Sequence, residues 1–74
     1  MPERTDWEAK ARGLLRAEMT RQNVTYSQLL ERLESIGVKE DERNLRNKVS
    51  RGKFTAAFML QCLAALGSNT VRLD

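Results

Sequence analysis

The chain has 74 residues, with 13 Lys and Arg against 10 Asp and Glu, one cysteine and no histidine. That length makes one domain near the lower limit of independent folding, with a core rarely worth more than about 3–5 kcal/mol. A single cysteine excludes an internal disulfide, and the lack of histidine leaves no ligand set for zinc.

The same inventory bounds the function. With no histidine, one cysteine among apolar neighbours and no glycine-rich phosphate loop, no catalytic constellation forms. The chain is therefore expected not to be an enzyme and to use no cofactor and no metal. A lone free cysteine suits a reducing compartment, so the expected location is the cytoplasm. No basic-then-apolar opening reads as a signal peptide. The longest nearly apolar run, Phe54 to Leu66, falls short of the roughly 20 residues of a membrane helix. Net charge is +3, unevenly spread: residues 1–42 carry seven Lys/Arg and nine Asp/Glu, whereas 43–74 carry six Lys/Arg and one Asp. Basic charge gathered in one half points to a polyanionic partner met by one face.

Four helices are expected, over about 6–21, 26–36, 41–51 and 55–66, in an all-α single domain followed by a tail at 68–74. Thr5 with Glu8 forms a capping box before the first helix, whose buried face is Trp7, Ala11, Leu14, Leu15 and Met19. Trp7 reads as an N-terminal core anchor. Gly13 weakens this helix by about 1 kcal/mol relative to Ala, which close packing against a neighbour would offset. Arg21-Gln22-Asn23 breaks the pattern. Thr25 and Gln28 form a second capping box, Val24 is placed as its staple, and Leu29, Leu30, Leu33 and Ile36 give the apolar face before Gly37. Tyr26, in the first turn, has two readings: partial burial, or a phosphate contact.

The third helix opens at Glu40 or Asp41. The three acids at 40–42 complement its N-terminus, a commoner role for such a run than catalysis or metal binding. Leu45 and Val49 make one apolar stripe, and Arg43, Asn44, Asn47, Ser50 and Arg51 point the other way, with Arg46 and Lys48 on the flanks. From Arg43 to Lys53 there are five basic residues and no acid. Arginine and asparagine on one helical face carry the donor and acceptor geometry that reads guanine and adenine edges. Gly52 then ends the helix. Phe54 is placed to staple onto Met59 across the Thr55 cap. The fourth helix is apolar almost all round, which calls for burial on more than one side: the core and a dimer contact. Cys62 sits inside it as a small core residue. Val71 and Leu73 alternate in the tail, as in a short strand or a partner contact.

A helix, a glycine, a short turn and a second helix follow the helix-turn-helix order. The stretches T25-Y-S-Q-L-L-E-R-L33, G37-V38, L45 to V49, R51-G52-K53 and F58-M-L-Q-C-L-A-A-L-G67 resemble lambda-repressor-like or Cro-like domains. The resemblance spans about residues 24–67. Glu34-Ser35-Ile36 lengthen the second helix relative to that class, and Leu30 stands where it places alanine. The whole chain is similar to a family of small bacterial proteins of unknown function that share VTY, NLRNK, RGKF and LQCL.ALG.

The repressor resemblance implies base reading by Arg43, Asn44 and Asn47 in the major groove. It also implies phosphate contacts from Thr25, Tyr26, Ser27, Arg46, Lys48, Arg51 and Lys53. Met59, Leu63, Val71 and Leu73 are the expected dimer or partner contacts. The expected function is sequence-specific binding of double-stranded DNA by a homodimer in transcriptional regulation, with no membrane partner. The rival reading is a protein-interaction module, an adaptor or antitoxin-like partner, on the same scaffold.

Overall fold

Capping chemistry decides where each helix starts and stops. The computed structural model of the chain describes residues 4–73, with side chains described from Trp7 onward. Four helices follow in order: α1 Arg4–Arg21, α2 Tyr26–Ser35, α3 Glu42–Arg51 and α4 Ala56–Ala65. The first starts earlier than the expected Asp6. The side chains of Thr5 and Asp6 lie outside the described residues, and the Thr5–Glu8 capping box with them. Thr25 accepts a hydrogen bond from the Gln28 N–H at 3.1 Å, and the Gln28 side chain accepts from the Thr25 N–H at 2.9 Å. This closes a full capping box. Asp41 caps α3 by accepting from the Arg43 N–H at 3.1 Å, and Thr55 caps α4 by accepting from the Phe58 N–H at 3.0 Å. Among the described residues there is no strand, and 68–73 form an irregular tail. No helix among them is long and apolar enough to cross a membrane.

One core joins the helices. Leu15 and Met19 of α1, Val24, Leu29 and Leu33 around α2, Leu45 and Val49 of α3, and Phe58, Cys62, Leu63 and Leu66 around α4 are buried. The i, i+4 pairs Leu29–Leu33 and Leu45–Val49 place one stripe of each middle helix inward. Both α3 and α4 pack against α1 and against α2, and so join those two helices. The radius of gyration is 11.8 Å, close to the roughly 11 Å of a folded chain this long.

Four expectations about this core need correction, the first being Ile36, expected on the apolar face of α2 but 47% exposed as its C-cap. Trp7, expected as a core anchor, is 59% exposed on the first turns of α1 and is not part of the core. Gly13 is exposed and has nothing within 4 Å of the position a Cβ would take, so no close packing offsets its cost. Leu63, expected at a partner contact, is 7% exposed and belongs to the core. The chain buries that side of α4 by itself, and the face left outward carries Ala56, Ala57, Leu60 and Ala64. Phe54 meets the Phe58 ring at 5.5 Å, and Phe54 and Met59 are both partly buried against the core.

Candidate nucleic-acid interface

Two contacts from α1 fix the end of α3. Gly52 adopts φ +70°, and a Cβ there would lie 2.2 Å from the Glu8 carbonyl oxygen. The α1 backbone therefore touches the α3 terminus directly, which only glycine permits. The Arg12 guanidinium donates to the Ser50 carbonyl at 3.0 Å. The Gly52 N–H donates to the Lys48 and Val49 carbonyls at 3.1 and 3.2 Å. With Leu45 and Val49 fully buried, the helix cannot turn about its axis, and its outward face is defined.

On that face Arg43, Asn44, Arg46, Asn47, Lys48, Ser50 and Arg51 are exposed, as is Lys53 just beyond it. The side chains of Arg43, Asn44, Asn47, Arg51 and Lys53 make no hydrogen bond or ion pair with the described residues. The three cations and two amides are thus presented outward.

The other expected phosphate ligands are already engaged within the chain. Ser27 donates its hydroxyl to Glu42 at 2.8 Å, spending its only donor on a carboxylate. Glu42 also accepts from Arg46 at 3.0 Å, one helical turn away. Its carboxyl is held below the usual range, first by the Ser27 hydroxyl and then by Arg46. The Arg46 guanidinium lies 5.2 Å from the centre of the half-buried Tyr26 ring. Lys48 is bonded to Glu40 at 2.6 Å and stands 4.8 Å from the centre of the Phe58 ring. Thr25 is exposed, and its oxygen serves the α2 cap. Ser27 thus has its donor on Glu42, a carboxylate of the same charge sign as a phosphate.

The acids at 40–42 are accounted for one by one: Glu40 holds Lys48, Asp41 caps α3, and Glu42 holds Ser27 and Arg46. Among the described residues no three of His, Cys, Asp and Glu stand together as a metal site. Cys62 is fully buried, and burial pushes its thiol up to about 12, the wrong direction for a nucleophile.

The family model described as Domain of unknown function (DUF6471) matches residues 7–71, from Trp7 to Val71. The chain belongs to this family. The match takes in all of α2, α3 and α4 and most of α1, so it runs through both the core and the outward face of α3. No curated protein and no solved structure matches the chain.

Of the expected partner contacts, Met59 is half-buried, and Val71 and Leu73 are exposed. Met59 and Val71 line a groove of about 610 Å³ between α1, α4 and the tail, with Leu14, Ala17, Glu18 and Arg21. Sequence reasoning missed Arg12 and Gly52, which seat α3. The glycine was legible as a helix stop, but its contact with Glu8 joins residues far apart in the chain.

Proposed function

We propose that the chain is a helix-turn-helix protein that binds double-stranded DNA through α3, as a homodimer, and regulates transcription. The observation that carries the reading is the outward face of α3: Arg43, Asn44, Asn47, Arg51 and Lys53, exposed and without partners among the described residues. Arg43, Asn44 and Asn47 supply base-edge donors and acceptors, as arginine does for guanine and asparagine for adenine. Arg51 and Lys53 neutralise phosphates, with Arg46 and Lys48 secondary because Glu42 and Glu40 already hold them. Two copies related by a dyad would set two such helices about 34 Å apart, one turn of duplex.

The test is fluorescence anisotropy of a labelled random-sequence duplex with the wild-type protein and the Arg43→Ala/Asn47→Ala variant. Binding by the first and clear weakening in the second support the reading. Equal binding by both refutes a role for this face.

The second reading, a protein-interaction module, is favoured by a separate observation. Leu60 is 65% exposed on α4, and Val71 and Leu73 are exposed in the tail. On that reading the Arg43/Asn47 variant keeps its partner, and Leu60→Ser loses it.

A further inference from the structure

The two ends of α3 differ in charge, and the difference bears on how a polyanion meets it. A depression of about 270 Å³ runs along α3 from Asn44 in its first turn through Asn47 and Lys48 to Arg51 and Lys53 at its C-terminal end. No carboxylate lines it. At the N-terminal end stand Glu40, Asp41 and Glu42, the first and last bound to Lys48 and Arg46. Lys48 lines the depression but is held by Glu40 at 2.6 Å, whereas Arg51 and Lys53 lie beyond that pair with no partner among the described residues.

Resting on the reading of α3 as the DNA face, we infer that the phosphodiester backbone is met at the C-terminal end of α3. Arg51 and Lys53 neutralise it there, which leaves the Asn44 and Asn47 amides to the base edges. Glu40 and Glu42 hold it off the other end. This inverts the usual advantage of a helix N-terminus for anions.

The helix dipole opposes the arrangement with about half a negative charge at the C-terminus. Here that charge is offset. Gly52 occupies the carbonyls of Lys48 and Val49, and the Arg12 guanidinium occupies that of Ser50, bringing a further cation to the same end. Arg12, Arg51 and Lys53 together outweigh half a charge. At the N-terminus the place an anion would take is filled by the chain's own carboxylates: Asp41 caps the helix, and Glu40 and Glu42 hold Lys48 and Arg46.

The test is the salt dependence of binding to a labelled random-sequence duplex, measured for the wild type and for three charge-neutralised pairs. Each phosphate contact contributes about 0.9 to the slope of log K against log salt. Arg51→Gln/Lys53→Gln should flatten the slope by about 1.8, from two contacts. Arg46→Gln/Lys48→Gln should flatten it by less than half as much, and Glu40→Gln/Glu42→Gln should tighten binding. Arg51 and Lys53 are exposed, and far-UV circular dichroism checks that each variant is folded. Should the pair unfold, the single variants R51Q and K53Q are each expected to flatten the slope by about 0.9. A flattening by R46Q/K48Q equal to or above that of R51Q/K53Q overturns the inference and leaves the DNA reading standing. A wild type that ignores duplex even at low salt overturns both.

Discussion

Gly52→Ala is the substitution whose outcome the packing fixes most tightly. The backbone there sits at φ +70°, a region that costs an L-residue about 1–2 kcal/mol. The added Cβ would also fall 2.2 Å from the Glu8 oxygen, 2.9 Å from its carbonyl carbon and 3.3 Å from the Arg12 Cβ. Two of these neighbours are α1 backbone, so relief requires α1 and α3 to move apart, and overpacking of this kind costs about 1–3 kcal/mol. The sum, about 2–5 kcal/mol, is comparable to the whole stability of a core this small, about 3–5 kcal/mol. Gly37 supplies the control. Its φ is +86°, but its Cβ would meet nothing within 4 Å, so Gly37→Ala costs only the backbone share. Urea unfolding followed by far-UV circular dichroism separates the two. At a slope of about 1 kcal/mol per molar, the Gly52→Ala midpoint should lie about 1–3 M below that of Gly37→Ala. A Gly52→Ala protein as stable as Gly37→Ala would show that α1 does not press on the end of α3.

Gly13→Ala acts in the opposite direction: the site is exposed and open, so thermal unfolding should show a gain of about 1 kcal/mol. Glu18 is held down to about 2, first by the Arg21 side chain and then by Gln22, which also ties α1 to the Leu66 carbonyl at 2.6 Å. A depressed carboxyl stabilises the fold above its unfolded value and loses that stabilisation as pH falls toward the folded one. Wild type should therefore exceed Glu18→Gln in stability at neutral pH, and the gap should close as pH falls toward 2. A gap independent of pH would show that the carboxylate charge plays no part. Cys62 is fully buried with its thiol pushed up to about 12. A thiol reagent should label it only in urea, in step with the loss of helix, and rapid labelling of the native protein would contradict its placement.

Local chemistry was legible in the sequence. The Thr25–Gln28 capping box, the Leu29–Leu33 and Leu45–Val49 stripes and the stop at Gly52 all follow from spacings of three to seven residues, and all are present. What the sequence hid depends on distance in space. Leu63 and Leu60 sit on the same apolar helix, and only the placement of α1 and α2 decides that one is core and the other surface. Trp7 is exposed although the next residue, Glu8, meets Gly52, so which side of that turn faces α3 decides its burial. The same holds for the candidate interface. Glu42–Arg46 is a one-turn pair visible in the sequence, whereas Ser27–Glu42, Glu40–Lys48 and Arg12–Ser50 join different segments. Those contacts sort the cations of α3 into held and free, so a charge count over 43–53 overstates what a polyanion meets.

The central claim is that the outward face of α3 binds duplex DNA. Salt-dependent anisotropy with a random-sequence duplex tests it most directly. Arg51 and Lys53, the phosphate-neutralising cations without a partner among the described residues, predict a slope of about −1.8, at about 0.9 for each contact. A slope near that value or steeper, with weaker binding by the Arg43→Ala/Asn47→Ala variant, is the expected result. No binding at low salt, or a slope near zero, would contradict the account and turn attention to the exposed Leu60 face.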